Sequence, residues 1–206
     1  MLYLVPAVLA AVILHELAHG VVARALGDPT AERAGRLTLN PLPHIDPVGF
    51  VTLVFFHFGW ARPVPVDPRY FRHPYRDMVA VALAGPLANG VWAMVLALAL
   101  AAVAPLYAGG VNAPAPLVVA LGAGMEISVS LGLFNLLPVP PLDGSHFVSA
   151  LWPAAGRWLT RAGFVLLAVL VLSGVVGRIL LPPVLAVSNL LLSWAQAAVH
   201  LAGVGA

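Results

Sequence analysis

The sequence contains no cysteine and no lysine, and only 9% of its 206 residues are charged. Without cysteine there is no disulfide framework and no thiolate ligand, so any bound metal must rest on His, Asp or Glu. Without lysine, the formal net charge of +2 and the basic pI of about 9.5 come from arginine alone. The arginines gather in a few connecting segments, a distribution that reports membrane topology and not nucleic-acid binding. Soluble domains carry about 25% charged residues. A chain this poor in charge has too little polar surface for an aqueous domain of its length.

In place of charge the chain has apolar residues, 61% of the total, with a mean hydropathy of +0.98. They fall in runs of about 20, each enough to cross a hydrocarbon core near 30 Å thick. The first run, Leu2 to Leu26, has no basic residue before it and continues past Gly20, which favours a full span over a cleaved leader. Gly27, Asp28 and Pro29 stop it. Further spans are expected at Met78 to Ala104, Pro116 to Leu137, Ala162 to Leu181 and Val184 to Leu201, the last two separated by a tight hairpin at Pro182 and Pro183. The sequence between Ala31 and Asp77 differs, with seven of the prolines and most of the arginines. Ala34 to Asn40 alternates polar and apolar residues with a period of two, which predicts a strand. Val48 to Phe58 is apolar but too short for an upright span, which predicts an interfacial or re-entrant piece.

The expected fold class is an all-α polytopic membrane protein with about five transmembrane helices plus a short membrane-associated β-hairpin or re-entrant region. Residues 1–206 form one membrane-embedded domain, with a core over 1–150 and a C-terminal helical hairpin over 158–203. With five spans, Arg24, Arg33, Arg36, Arg62, Arg69, Arg72, Arg76, Arg157 and Arg161 share one side and only Arg178 lies toward the other. The positive-inside rule makes the shared side cytoplasmic and the N-terminus external. There is no internal repeat, so an inverted-repeat transporter architecture has no support.

The string HELAH at His15 to His19 puts two imidazoles at i and i+4 of the first span, stacked on one face and able to reach one zinc. Glu16 beside them is the candidate general base, able to take a proton from water that the metal acidifies and pass it to a leaving amine. On a charge-rich soluble helix the same three residues can be a coincidence. In a lipid-spanning helix, ionisable groups cost about 2.5 kcal/mol or more each and persist only with a metal, a partner or a cavity. Catalytic zinc sites usually have three protein ligands. The best third candidate is Asp143, which follows the proline-broken stretch FNLLPVPPLDG at Phe134 to Gly144. Such a break frees backbone carbonyls at membrane depth, where only protein or a water-filled cavity can receive them.

These residues resemble the site-2 protease family of intramembrane zinc metalloproteases. HELAH matches the family's zinc-binding motif, and Asn135, Pro138, Asp143 and Gly144 match its second signature. LNPLPHIDPVG at Leu39 to Gly49, GWARPVPVDP at Gly59 to Pro68 and AGPLANG at Ala84 to Gly90 are similar to compact bacterial and archaeal members that lack PDZ and CBS domains. The resemblance implies one zinc per chain held by His15, His19 and Asp143, with Glu16 activating water. It further implies that Asn135, and with less support Asn89, orient substrate or polarise its carbonyl. Asparagines in membrane helices also serve simply as interhelical hydrogen-bond partners.

The implied reaction is hydrolysis of peptide bonds in or near transmembrane segments, the partners being a transmembrane protein or peptide substrate and membrane lipid, with no nucleic acid. The implied location is a prokaryotic inner membrane with the active site toward the cytoplasm. A membrane metal-ion transporter, or a non-proteolytic zinc-binding membrane protein, is the alternative; transport has no use for a general base between the ligands. The strand-like segments Gly35 to Asn40 and Arg62 to Val66 would offer a sheet edge to an extended peptide. Glu126 is an ionisable group inside a span with no role in the family signature, and an ion pair with Arg178 is an equally good reading. His146 is expected to be a neighbour of the site and not a ligand. His44, His57 and His73 read as interfacial polar residues, and His200 carries no signal.

Overall fold

The computed structural model describes residues 5–56, 60–108 and 115–201. Its elements are α1 (Val5–Ala25), α2 (Thr30–Arg33), α3 (Pro47–Phe56), α4 (Pro74–Ala108), α5 (Ala115–Asn135), α6 (Ser145–Leu151), α7 (Pro153–Leu172) and α8 (Val175–Leu201), with single 3₁₀ turns at Leu42–His44 and Pro68–Tyr70. Five of these helices, α1, α4, α5, α7 and α8, are long and apolar enough to cross a membrane. The expected all-α polytopic class with five spans is therefore met by length and composition.

The first span ends where the sequence predicts. Gly27 takes a positive φ of 104°, and Asp28, fully buried, closes the turn. Its carboxylate accepts hydrogen bonds from the Thr30 N–H at 2.9 Å, the Thr30 hydroxyl and the Asp67 N–H at 2.7 Å. One side chain thus satisfies the start of α2 and ties it to the segment that leads into α4.

Small residues let the helices approach closely, as is usual where no hydrophobic effect separates helix from lipid. Ala93 and Ala97 of α4 are fully buried and pack with Met125 and Val129 of α5 and Val184 of α8. Gly124 faces Leu96 and Gly132 faces Pro86 and Asn89, so α4 and α5 run antiparallel with small residues at the contact. Helix α1 lies against both α4 and α5, while α7 touches mainly α6 and α8.

Three expectations change. Among the described residues there is no strand: Ala34 to Asn40 forms turns and bends, and the sole sheet-like feature is an isolated antiparallel bridge between Ile45 and Ala61. The alternating pattern was a weak guide because Arg36 turns inward, 5% exposed, and its guanidinium takes the carbonyls of Arg62 and Pro63 that a neighbouring strand would have used. The Val48 to Phe58 segment is helical as far as Phe56, giving α3 of 10 residues, about half the length needed to cross. His57 and Phe58 lie outside the described residues, as do Leu2 to Leu4 of the first span.

The third change concerns the C-terminal hairpin. Its turn is at Ser173–Gly174, and Pro182 and Pro183 lie inside α8. Gly174 adopts a φ of 73°, the left-handed conformation that ends helices without a Cβ penalty. Proline is tolerated within membrane helices because neighbouring helices and local adjustments satisfy the carbonyls it leaves free, so a Pro-Pro pair was a poorer turn signal here than in an aqueous loop. Trp152 caps the start of α7, and Trp158 lies in its first turns.

Candidate active site

The two histidines of α1 project to one side, their ring centroids 4.6 Å apart and their planes at 85°. Each is fixed through Nδ1. The His19 Nδ1 lies 2.8 Å from the Val81 carbonyl, which can only accept, so the proton is on Nδ1. The His15 Nδ1 lies 2.5 Å from Asn89 Oδ1, while the Asn89 amide nitrogen donates to the Ala11 carbonyl at 3.0 Å. That second bond sets the orientation of the amide and makes its oxygen the acceptor from His15. In their neutral form both imidazoles therefore present an unprotonated Nε2 toward the same point.

At that point stands Asp143. Its Oδ2 lies 3.2 Å from His15 Nε2 and 3.3 Å from His19 Nε2, and the three ligand atoms fall within 4.8 Å of one another. When the rings are neutral, with their protons on Nδ1, these are approaches of lone pair to lone pair, and the buried Oδ2 has no hydrogen-bond donor among the described residues. Such an arrangement repels unless a cation sits among the three atoms. Two neutral imidazoles and a carboxylate are a donor set suited to zinc. The backbone of α4 leaves the room: a Cβ on Gly85 would fall 2.5 Å from His19 Nε2 and 2.6 Å from His15 Nε2. The residues present thus fit a metal.

Asp143 reaches the histidines because α5 ends at Asn135 and the chain folds back in irregular turns through a cis Pro140–Pro141 bond. The Gly144 N–H donates to the main-chain carbonyl of Asn135 at 2.7 Å, closing the loop on the helix it left. On its far side Pro140 sits against Gly163 of α7, so closely that a Cβ there would come within 2.8 Å of it. The side chain of Asn135 donates to Leu131 within its own helix at 3.0 Å. His146 follows the loop, and burial pushes its imidazole below the ordinary range.

Glu16 Oε2 accepts the Val64 N–H at 2.8 Å. Arg36 holds that segment through Arg62 and Pro63, and the Arg62 N–H donates to the His44 carbonyl at 2.9 Å. The backbone groups that the expected sheet edge would have offered at 62–64 are largely taken up inside the protein. An apolar cleft of about 120 Å³ opens one turn earlier on α1, between Val8, Leu9 and Val12 and the bridge residues Ile45 and Ala61.

The structure thus brings His15, His19 and Asp143 together and sets Asn89, fully buried, behind His15, while Glu16, next to His15 on α1, is held by the Val64 N–H. It does not bring Glu126 to the site or pair it with Arg178; both are exposed, with no ion pair among the described residues. Arg36 was given no site role from the sequence, and neither was Gly85, although it lies within AGPLANG. The signals were present: an arginine inside an apolar alternation, and a Gly-Pro pair in the middle of a span.

Comparison with known proteins bears on the chemistry. Residues 112–173 match the family described as peptidase family M50. The chain is 38% identical over 188 residues to YwhC of Bacillus subtilis, covering 87% of this chain and 84% of that protein. It is 32% identical over 173 residues to Rip3 of Mycobacterium tuberculosis, covering 81% of this chain but 37% of Rip3. It is 30% identical over 175 residues to Rip2 of Mycolicibacterium smegmatis, covering 80% of this chain and 64% of Rip2. Each of the three bears a provisional zinc metalloprotease name. No solved structure matches the chain.

Proposed function

Because the chain belongs to peptidase family M50, the site-2 protease family, and is a zinc metalloprotease, we propose that it hydrolyses peptide bonds within or beside the membrane spans of other proteins. The carrying observation is the convergence of His15 Nε2 and His19 Nε2 on Asp143 Oδ2 inside a bundle of membrane-length helices. His15, His19 and Asp143 would hold the metal. Zinc supplies Lewis acidity, which polarises a carbonyl and makes water a stronger acid near neutral pH.

Glu16 acts as the base. It takes a proton from the attacking water, the water oxygen adds to the scissile carbonyl carbon, and the carbon–nitrogen bond breaks as Glu16 returns the proton to the amine. The Val64 N–H orients the Glu16 carboxylate for this exchange. Asn89 serves through His15, fixing the ring that presents Nε2. Asn135 acts through its main chain by holding the Asp143 loop, and its amide, with one N–H donated to Leu131, keeps a second N–H and its oxygen for substrate.

By the positive-inside rule the arginine distribution favours a topology in which the C-terminal half of α1 and its ligands face the cytoplasm, with an external N-terminus and, after five spans, a cytoplasmic C-terminus. The apolar helix α3 is too short to span and suits a re-entrant or interfacial position beside α1. The substrates on this reading are membrane proteins, and the setting is a prokaryotic inner membrane.

The test is reconstitution with a panel of single-span peptides, comparing the protein with Glu16→Gln. The expected result is a loss of cleavage of about 10²-fold or more with zinc retained. Cleavage unchanged in Glu16→Gln, or zinc flux across the bilayer with no cleavage, would overturn the proposal.

A further inference from the structure

Glu126 stands halfway along the α5 span, Pro116–Asn135, with its side chain exposed on the outside of the bundle and no hydrogen bond or ion pair among the described residues. A carboxylate at that depth is costly in lipid alone and calls for a partner. It belongs to a continuous helix face, Ala123, Glu126, Ile127, Ser130, Leu131 and Phe134, spaced at three and four residues. With Leu180 of α8 this face walls an open groove of about 620 Å³. Ala123 and Ser130 are small, two turns apart, and allow another helix to approach closely.

The groove ends one residue from the Asp143 loop. Phe134 at its end precedes Asn135, whose carbonyl holds Gly144 beside Asp143. A second copy of the chain is a poor occupant. Two copies in one membrane share orientation, so a two-fold pairing of this face would set Glu126 against Glu126 at equal depth. Charge complementarity asks instead for a helix with a cation or strong donor near its middle.

We propose that the α5–α8 groove is a docking site for the substrate's transmembrane helix, and that Glu126 selects helices carrying a basic side chain near mid-membrane. This rests on the proteolytic reading of the site. A long polar residue in a substrate span weakens its hold on lipid, and pairing with Glu126 converts that weakness into recognition, next to the loop that carries Asp143.

The test uses the full chain bearing Glu16→Gln, so that binding is read without cutting. A fluorescent single-span peptide with a central lysine is titrated in vesicles by energy transfer, against Glu126, Glu126→Gln and Glu126→Lys proteins whose zinc content confirms folding. Binding of the lysine peptide is expected to weaken about tenfold in Glu126→Gln and further in Glu126→Lys, and a central-glutamate peptide to bind the Glu126→Lys protein about tenfold better than it binds the Glu126 protein. Equal affinities in all combinations would overturn the proposal. So would Glu126-dependent energy transfer between copies of the protein, which would give the groove to self-association. If the charge swap holds while the protein with Glu16 intact cuts none of the peptides, docking stands and the proteolytic reading falls.

Discussion

Asn89 of α4 accepts a hydrogen bond from the Nδ1 of His15 on α1, 74 residues earlier in the chain, while its amide nitrogen donates to Ala11 one turn before. The pair joins the two helices and selects the tautomer of the ring. Replacing Asn89 with leucine removes both. Zinc affinity, measured by competition with a chelator, is expected to fall about 10- to 100-fold, the usual effect of losing a partner behind a ligating histidine. An unchanged affinity would mean that packing alone orients His15.

Gly85 makes a sharper prediction because the effect is steric. Its Cα faces both Nε2 atoms, and a methyl group would stand within 2.6 Å of each. Gly85→Ala is expected to reduce zinc content to less than about a tenth while the helical signal in detergent is retained, alanine being the better helix former by about 1 kcal/mol. Full zinc occupancy in Gly85→Ala would contradict the site geometry.

Arg36 separates catalysis from metal binding. It touches neither histidine, but it clamps the carbonyls of Arg62 and Pro63 and so fixes the Val64 N–H that Glu16 uses. In Arg36→Met, zinc content is expected to stay near that of the parent while kcat drops about 10- to 100-fold, the scale of an ångström-sized misplacement of a catalytic group. Parallel loss of zinc and activity would make Arg36 a general structural residue.

Asp28 bears on stability. Its carboxylate satisfies two backbone N–H groups and a hydroxyl from within the protein. Stranding such donors costs about 1–3 kcal/mol each when they stay dry. Asp28→Ala is expected to lower stability by about 3 kcal/mol, allowing some rehydration, and Asp28→Asn by less, as read by thermal unfolding in detergent. Equal unfolding temperatures for all three proteins would show that water replaces the carboxylate without cost.

How much of this the sequence disclosed depended on the range of the interaction. HELAH is local: two positions four apart on a helix share a face in any fold, so the histidine pair was legible at once. Asp143 was legible because prolines announced a broken helix in lipid, where a break needs a reason. The role of Asn89 was not legible, since it depends on which turn of α4 meets which turn of α1. Arg36 was hidden for a similar reason, and its alternation with Leu37 and Leu39 imitated a strand. The Pro182–Pro183 pair misled because turn signals learned in water lose force where neighbouring helices can satisfy the backbone.

The contact between Pro140 and Gly163 gives the site an unusual neighbour. Helix α7 is the least enclosed of the five long helices, so packing against its neighbours restrains its tilt least and leaves it the most open to a change in bilayer thickness. The loop that carries Asp143 leans on that helix through Pro140. Acyl-chain length then becomes a variable of the metal site: zinc affinity should shift between short-chain and long-chain vesicles, and widening Gly163 to alanine should change that dependence more than it changes the affinity itself.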